Sequence, residues 1–310
     1  MQDPIQNRIE GIPRPSLTAA GLFVLLAALG QWATSALELA LPNASVALLI
    51  ALYYVPFVGV PLLLYARRRP GLGEAMRLDA PPALPMLTVA LLALMSVYVA
   101  SALSALWGAG LDALGLKSPG SLPPPQNERE LIASILLSAA LPAVAEEMLF
   151  RGIVLSAWES RGTFFAIGVS SALFALLHAN LYGLPAFLLV GAVAGFAAWA
   201  LRSVYAAIAY HTIYNAACLA IPFLLGQRGE TDAGAALNGS MLFSLALETA
   251  MLTGMMAVLL SSLWLRARAR GVDPIPRIRR PLAYGERLAQ WSAVLVMIAS
   301  IVIVQLMANR

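Results

Sequence analysis

Within the apolar run from Leu131 to Trp158, the stretch Glu146-Glu147-Met148-Leu149-Phe150-Arg151 sets two acids and a base where charge is expensive. A charged side chain near the middle of a bilayer costs at least ~2.5 kcal/mol, so ionisable residues in such runs are functional candidates. On a helix, Glu147 and Arg151 stand four apart with the acid N-terminal, the favourable order for a pair in which each neutralises the other. Glu146 lies about 100° round the helix from Glu147, so it can face a cavity while its neighbour holds Arg151. The spacing predicts a structural ion pair beside a free carboxylate, the group a general base requires.

Only two histidines occur, both in apolar stretches. His178 closes Phe174-Ala175-Leu176-Leu177-His178. His211 opens His211-Thr212-Ile213-Tyr214-Asn215, which puts Asn215 one turn on, along the same helical face. With a helical turn near Arg161, Glu146 fifteen residues before it and His178 seventeen after it both stand roughly 22 to 26 Å away. A second return near Arg202 puts Asn215 thirteen residues beyond, ~20 Å deep, with His211 one turn shallower. A carboxylate, two imidazoles and an amide in one layer supply what hydrolysis needs: a base, an orienting group and donors for an oxyanion. The same residues admit other uses, as an ion network that locks helix packing or as the proton relay of a transporter. Glu146, His178 and His211 are also zinc-ligand types, although two His one helical turn apart, the zincin signature, are absent. With Asn215 beside His211, no metal is favoured. Cys218 shares the face of His211 and Asn215, and a thiol in apolar surroundings is expected to be inert. Single acids, Glu38 and Glu248, are expected to make interhelical hydrogen bonds.

Helices that cross a membrane must position these residues. Of 310 residues, 60% are hydrophobic and 12% charged, with a mean hydropathy of +0.78. Repeated apolar runs of 18 or more residues each suffice to span ~30 Å of hydrocarbon as a helix, and they lack the alternation of barrel strands. The expected fold is an all-α polytopic membrane protein of about nine transmembrane helices with a four-helix catalytic core. The spans fall at about 17–41, 45–65, 84–107, 131–158, 163–179, 184–201, 204–226, 240–265 and 288–308. Longer links run through 108–130, with its Pro123-Pro124-Pro125, and through the Arg-rich 266–287. Three parts follow: spans and an outer loop in 1–124, the catalytic core in 125–226, and further spans in 227–310. No internal repeat of the kind transporters carry is visible.

Basic residues orient the chain. With the N-terminus inside, the inner segments hold Arg8, Arg14, Arg67, Arg68, Arg69, Arg77, Arg161, Arg202, Arg266, Arg268, Arg270, Arg277, Arg279, Arg280 and Arg287, against Lys117, Arg129, Arg228 and Arg310 outside. The bias predicts N-in and C-out. It also accounts for the pI near 9.5 without nucleic acid, and the Arg run 266–280 suits orientation and contact with anionic lipid. From the turn at Arg161, the catalytic layer lies ~24 Å up a ~30 Å slab, in the outer half, with loop 108–130 as a gate over it.

In their order on successive helices, Glu146-Glu147-x-x-x-Arg151, Phe174-x-x-x-His178 and His211-x-x-x-Asn215 resemble the CPBP family of intramembrane proteases, over about residues 125–226. That family takes in type II CAAX prenyl endopeptidases and bacterial proteins of bacteriocin processing or self-immunity. The resemblance implies an intramembrane endopeptidase acting on membrane-associated or lipidated proteins, in the plasma (inner) membrane of a bacterium. It implies that Glu146, helped by His178, activates a water, while His211 and Asn215 stabilise the oxyanion. Glu147 and Arg151 carry over as the second acid and its partner, and Phe174 as packing that shapes the pocket. A zinc enzyme using Glu146, His178 and His211, and an inactive member serving as an immunity protein, are the alternatives within the same resemblance.

Overall fold

The computed structural model describes residues 14–41, 45–68, 71–119, 124–226, 239–279 and 281–309. Arg8, Arg69, Arg228, Arg280 and Arg310 of the charge count, and Pro123 of the proline run, lie outside them. Helix α1 spans Leu17–Ala40. Helix α2 runs from Val46–Tyr54 through a π-helical turn, Val55–Gly59, into Val60–Arg68. A short α3, Leu72–Ala75, precedes the long α4, Ala83–Ala113. Then come α5 (Glu128–Glu159), α6 (Thr163–Leu177), α7 (Leu184–Leu201), α8 (Val204–Leu224), α9 (Gly239–Ala269) and α10 (Tyr284–Ala308). Among the described residues there is no β-strand.

The chain is an all-helical, polytopic membrane protein. Each of the nine expected spans coincides with a helix, and among the described residues seven of these are long and apolar enough to cross a membrane. Helices α2 and α6 are the other two. A π-turn interrupts α2, and the 15 residues of α6 reach only ~22 Å. Lipid explains the outer surface: Leu84, Leu87, Leu91 and Leu94 form an exposed stripe at helical spacing along α4, where a soluble helix would carry polar residues. Between helices the contact residues are small, as expected where close backbone approach replaces a hydrophobic drive. Along α7, the most buried of the seven, Gly191, Ala194, Gly195, Ala197 and Ala198 all face neighbours. The first and last helices close on each other in the same way. A Cβ on Gly21 of α1 would lie 2.8 Å from the Ala289 carbonyl carbon of α10, and Trp32 Nε1 donates to Ser300 Oγ at 2.7 Å across the same pair.

Boundaries moved where local caps outweigh hydropathy. Helix α4 continues past the expected 107 to Ala113 and stops before Gly115, which sits at φ +78°. Helix α5 opens early, at Glu128, because Asn127 caps the Glu130 N–H at 2.9 Å and Glu128 and Glu130 oppose the helix dipole. The link 108–130 is thereby shortened. Its Lys117 is bound to α10, through Asn309 Oδ1 and Gln305 Nε2 at 2.9 Å each. Residues 120–123 of that link lie outside the described residues. Glu248 on α9 accepts from Tyr98 on α4, an interhelical bond of the expected kind, while Glu38 is exposed at the end of α1.

Candidate active site

Helices α5, α6, α7 and α8 converge on the charged stretch. Arg151 and Glu147 are both fully enclosed, with side-chain exposures of 0%. Arg151 Nη1 donates to Glu147 Oε1 at 2.8 Å. Its Nη2 donates to the Gly191 carbonyl at 2.8 Å, and the guanidinium stands 4.7 Å from the Phe174 ring centroid. Arg151 thus ties α5 to α6 and α7. Gly191 permits this: a Cβ there would lie 3.0 Å from Ser171 Cα and 3.2 Å from Arg151 Nη2. Arg151 and Phe150 belong to a π-helical turn, Met148–Val154, and such turns recur at functional sites.

Glu147 has a second partner that spacing along one helix did not reveal. Its Oε1 also accepts from His211 Nδ1 at 2.9 Å. The carboxylate therefore orients the His211 ring as well as neutralising Arg151. With Nδ1–H committed, Nε2 is the ring nitrogen left for chemistry. Phe174 packs edge-on against His211, centroids 5.5 Å apart.

His178 is not inside its helix, as the 163–179 span implied, but caps it. Helix α6 ends at Leu177 because Ala179 turns to φ 50°. The last carbonyls of a helix lack backbone partners, and His178 Nδ1 lies 2.8 Å from the Phe174 oxygen. A carbonyl only accepts, so Nδ1 carries the proton and Nε2 points away. That Nε2 stands 3.9 Å from Glu146 Oε2. Stacking on Phe187, centroids 4.0 Å apart and planes 22° apart, holds the ring.

Glu146 is not free of partners. Tyr54, from α2, donates its hydroxyl to Glu146 Oε1 at 2.7 Å. A cavity of about 400 Å³ collects Glu146, His178, His211, Asn215, Tyr214 and Cys218, with Tyr54 and Phe187 on its wall. A second, apolar groove of about 750 Å³ between α2 and α5 also touches Tyr54, along with Val58, Leu62, Met76, Val144 and Met148. Tyr54, Phe187 and Gly191 were missed in the sequence. Gly191-x-x-x-Gly195 signals close helix approach and could have flagged the last. A tyrosine hydroxyl in an apolar run needs a partner, which is a weaker signal for Tyr54. Nothing marks Phe187.

Glu146, His178 and His211 do not gather as a metal triad. His211 Nδ1 is held by Glu147, and among the described residues no three His, Cys, Asp or Glu side chains are placed to share an ion.

Residues 128–217 match the family model described as type II CAAX prenyl endopeptidase Rce1-like. Over these residues the chain is similar to that family. The matched residues run from the first turn of α5 to Ala217 on α8 and include each charged and polar residue of the site except Tyr54 and Cys218. The match supports a CAAX-type intramembrane endopeptidase in general. No curated protein and no solved structure matches the chain.

Proposed function

We propose that the chain is an intramembrane endopeptidase in which Glu146 activates water and no metal takes part. The observation that carries this reading is the opposition of Glu146 Oε2 and His178 Nε2 at 3.9 Å on a cavity that also exposes His211 and Asn215. That gap is too long for a direct hydrogen bond and admits a water bonded to both groups. The Glu146 carboxylate takes one proton from the water, and the hydroxyl adds to the peptide carbonyl carbon. Asn215 and His211 receive the oxyanion. While its Nδ1–H holds Glu147, His211 donates through Nε2 only as the doubly protonated ring. Glu146 then returns its proton to the amide nitrogen, the C–N bond breaks, and the new acid and amine leave.

The apolar groove beside Tyr54 suits a substrate that brings a lipid chain or an apolar segment with it, hence membrane-associated or lipidated proteins. The charge bias supports an N-in, C-out orientation, and the family resemblance supports the inner membrane of a bacterium. The test is cleavage of a candidate membrane substrate by purified protein in detergent. The parent is expected to cleave, Glu146→Gln to lose at least ~100-fold in rate, and a chelator to leave the parent rate unchanged. Undiminished cleavage by Glu146→Gln would sink the assignment, and chelator loss restored by Zn²⁺ would replace it with the zinc reading.

A further inference from the structure

A third cavity, of about 420 Å³, lies at the turn between α5 and α6, away from the catalytic residues. Trp158, Arg161, Phe165, Arg277, Arg279 and Leu282 line it. Its roof is the extended segment 272–279 after α9, which is laced to the turn. Thr163 N donates to the Ile275 carbonyl at 3.0 Å, Ile275 N to Thr163 Oγ1 at 2.9 Å, and Ile278 N to the Arg161 carbonyl at 3.1 Å. Gly162, at φ +118°, makes room, since a Cβ there would lie 2.8 Å from Arg277 Cα.

The lining is cationic on one side and apolar on the other. Arg277 lies over the Phe165 ring at 4.4 Å and Arg161 beside Trp158 at 5.8 Å. Glu286 meets Arg161 at 3.3 Å and Asp273 is taken by Arg268. Among the described residues, neither Arg277 nor Arg279 has an acidic partner within ion-pair distance. Guanidiniums present planar forks that fit phosphate oxygens. The pocket also sits where α5 and α6 meet, with a tryptophan in its lining, the place and composition of a headgroup site. A free phosphate would use the guanidiniums but not the apolar wall.

We propose that this pocket binds the phosphate group of an anionic membrane lipid, held by Arg277 and Arg279 against the wall formed by Phe165 and Leu282. Both arginines are exposed, so replacing them leaves the fold intact. Purified full-length protein in detergent is titrated with phosphatidylglycerol and with phosphatidylcholine, each with and without inorganic phosphate, and retained lipid is read by native mass spectrometry. Phosphatidylglycerol is expected to be retained over phosphatidylcholine, and Arg277→Ala with Arg279→Ala to weaken it about tenfold. A charge-matched pair at exposed positions elsewhere, Arg67→Ala with Arg129→Ala, is expected to stay within about twofold of the parent. Equal losses in the two pairs would reduce the pocket to diffuse charge. Absence of any preference over phosphatidylcholine would remove the anionic lipid, and displacement by equimolar inorganic phosphate would make free phosphate the ligand.

Discussion

Arg151 is a charge enclosed on every side, tolerated because both terminal nitrogens and one face of the guanidinium meet partners, although its Nε is buried without a hydrogen-bond partner. Glu147 neutralises it, the Gly191 carbonyl takes a second donor, and Phe174 covers its plane. Removing one partner of such a pair leaves an uncompensated charge, which costs roughly 3 to 5 kcal/mol. Arg151→Ala is therefore expected to lower the melting temperature and activity together, because the orphaned Glu147 also positions His211. Glu146→Gln is expected to lower activity with the melting curve unchanged, since the amide still accepts from Tyr54. Identical melting of the two variants and the parent would show that the glutamates do not divide the work this way.

Among the helices, α2 contributes most to the site for the least sequence signal. Its π-turn begins at Val55, immediately after Tyr54, and Tyr54 stands between the polar cavity and the apolar groove. The hydroxyl fixes one Glu146 oxygen so that the other faces His178. Hydrogen bonds to a charged group contribute about 1.5 to 3 kcal/mol. Tyr54→Phe is thus expected to reduce kcat about tenfold with KM and melting temperature nearly unchanged. An unaltered kcat would mean that Glu146 needs no support from α2. The shortness of α6 serves the same geometry. Ending at Leu177, it frees His178 to cap its own helix and so fixes which nitrogen faces the glutamate.

For the whole molecule, topology decides which side of the membrane the site faces. The turn 178–183 joins α6 to α7 and is stitched to the end of α4, where Tyr182 donates to Asp112 at 2.7 Å and Trp107 Nε1 to the Leu181 carbonyl at 2.9 Å. With N-in topology this turn faces outward. In a Cys218→Ser background, which removes the sole native thiol, Tyr182→Cys is expected to react with an impermeant reagent applied to intact cells. Reaction only after the inner face is exposed would invert the topology and bring cytosolic CAAX-type substrates to first place.

Hydropathy alone decided that the chain is a helical membrane protein, and it placed most helices to within a few residues, α7 at 184–201 among them. Composition suffices there because lipid demands apolar runs of a set length. The charged stretch, the two histidines and Asn215 were legible for a related reason: polar groups in an apolar run are few and must be spent on contacts or chemistry. The ion pair of Glu147 and Arg151 was legible too, being local to one helix. Contacts between helices were not. That Glu147 holds His211, 64 residues away, and that Tyr54 holds Glu146, 92 residues away, depends on how helices rotate and cross. Helical periodicity says which residues share a face and nothing about which face meets which. Only the packing of α2, α5, α6, α7 and α8, set by small residues such as Gly191, decided the partners of each glutamate.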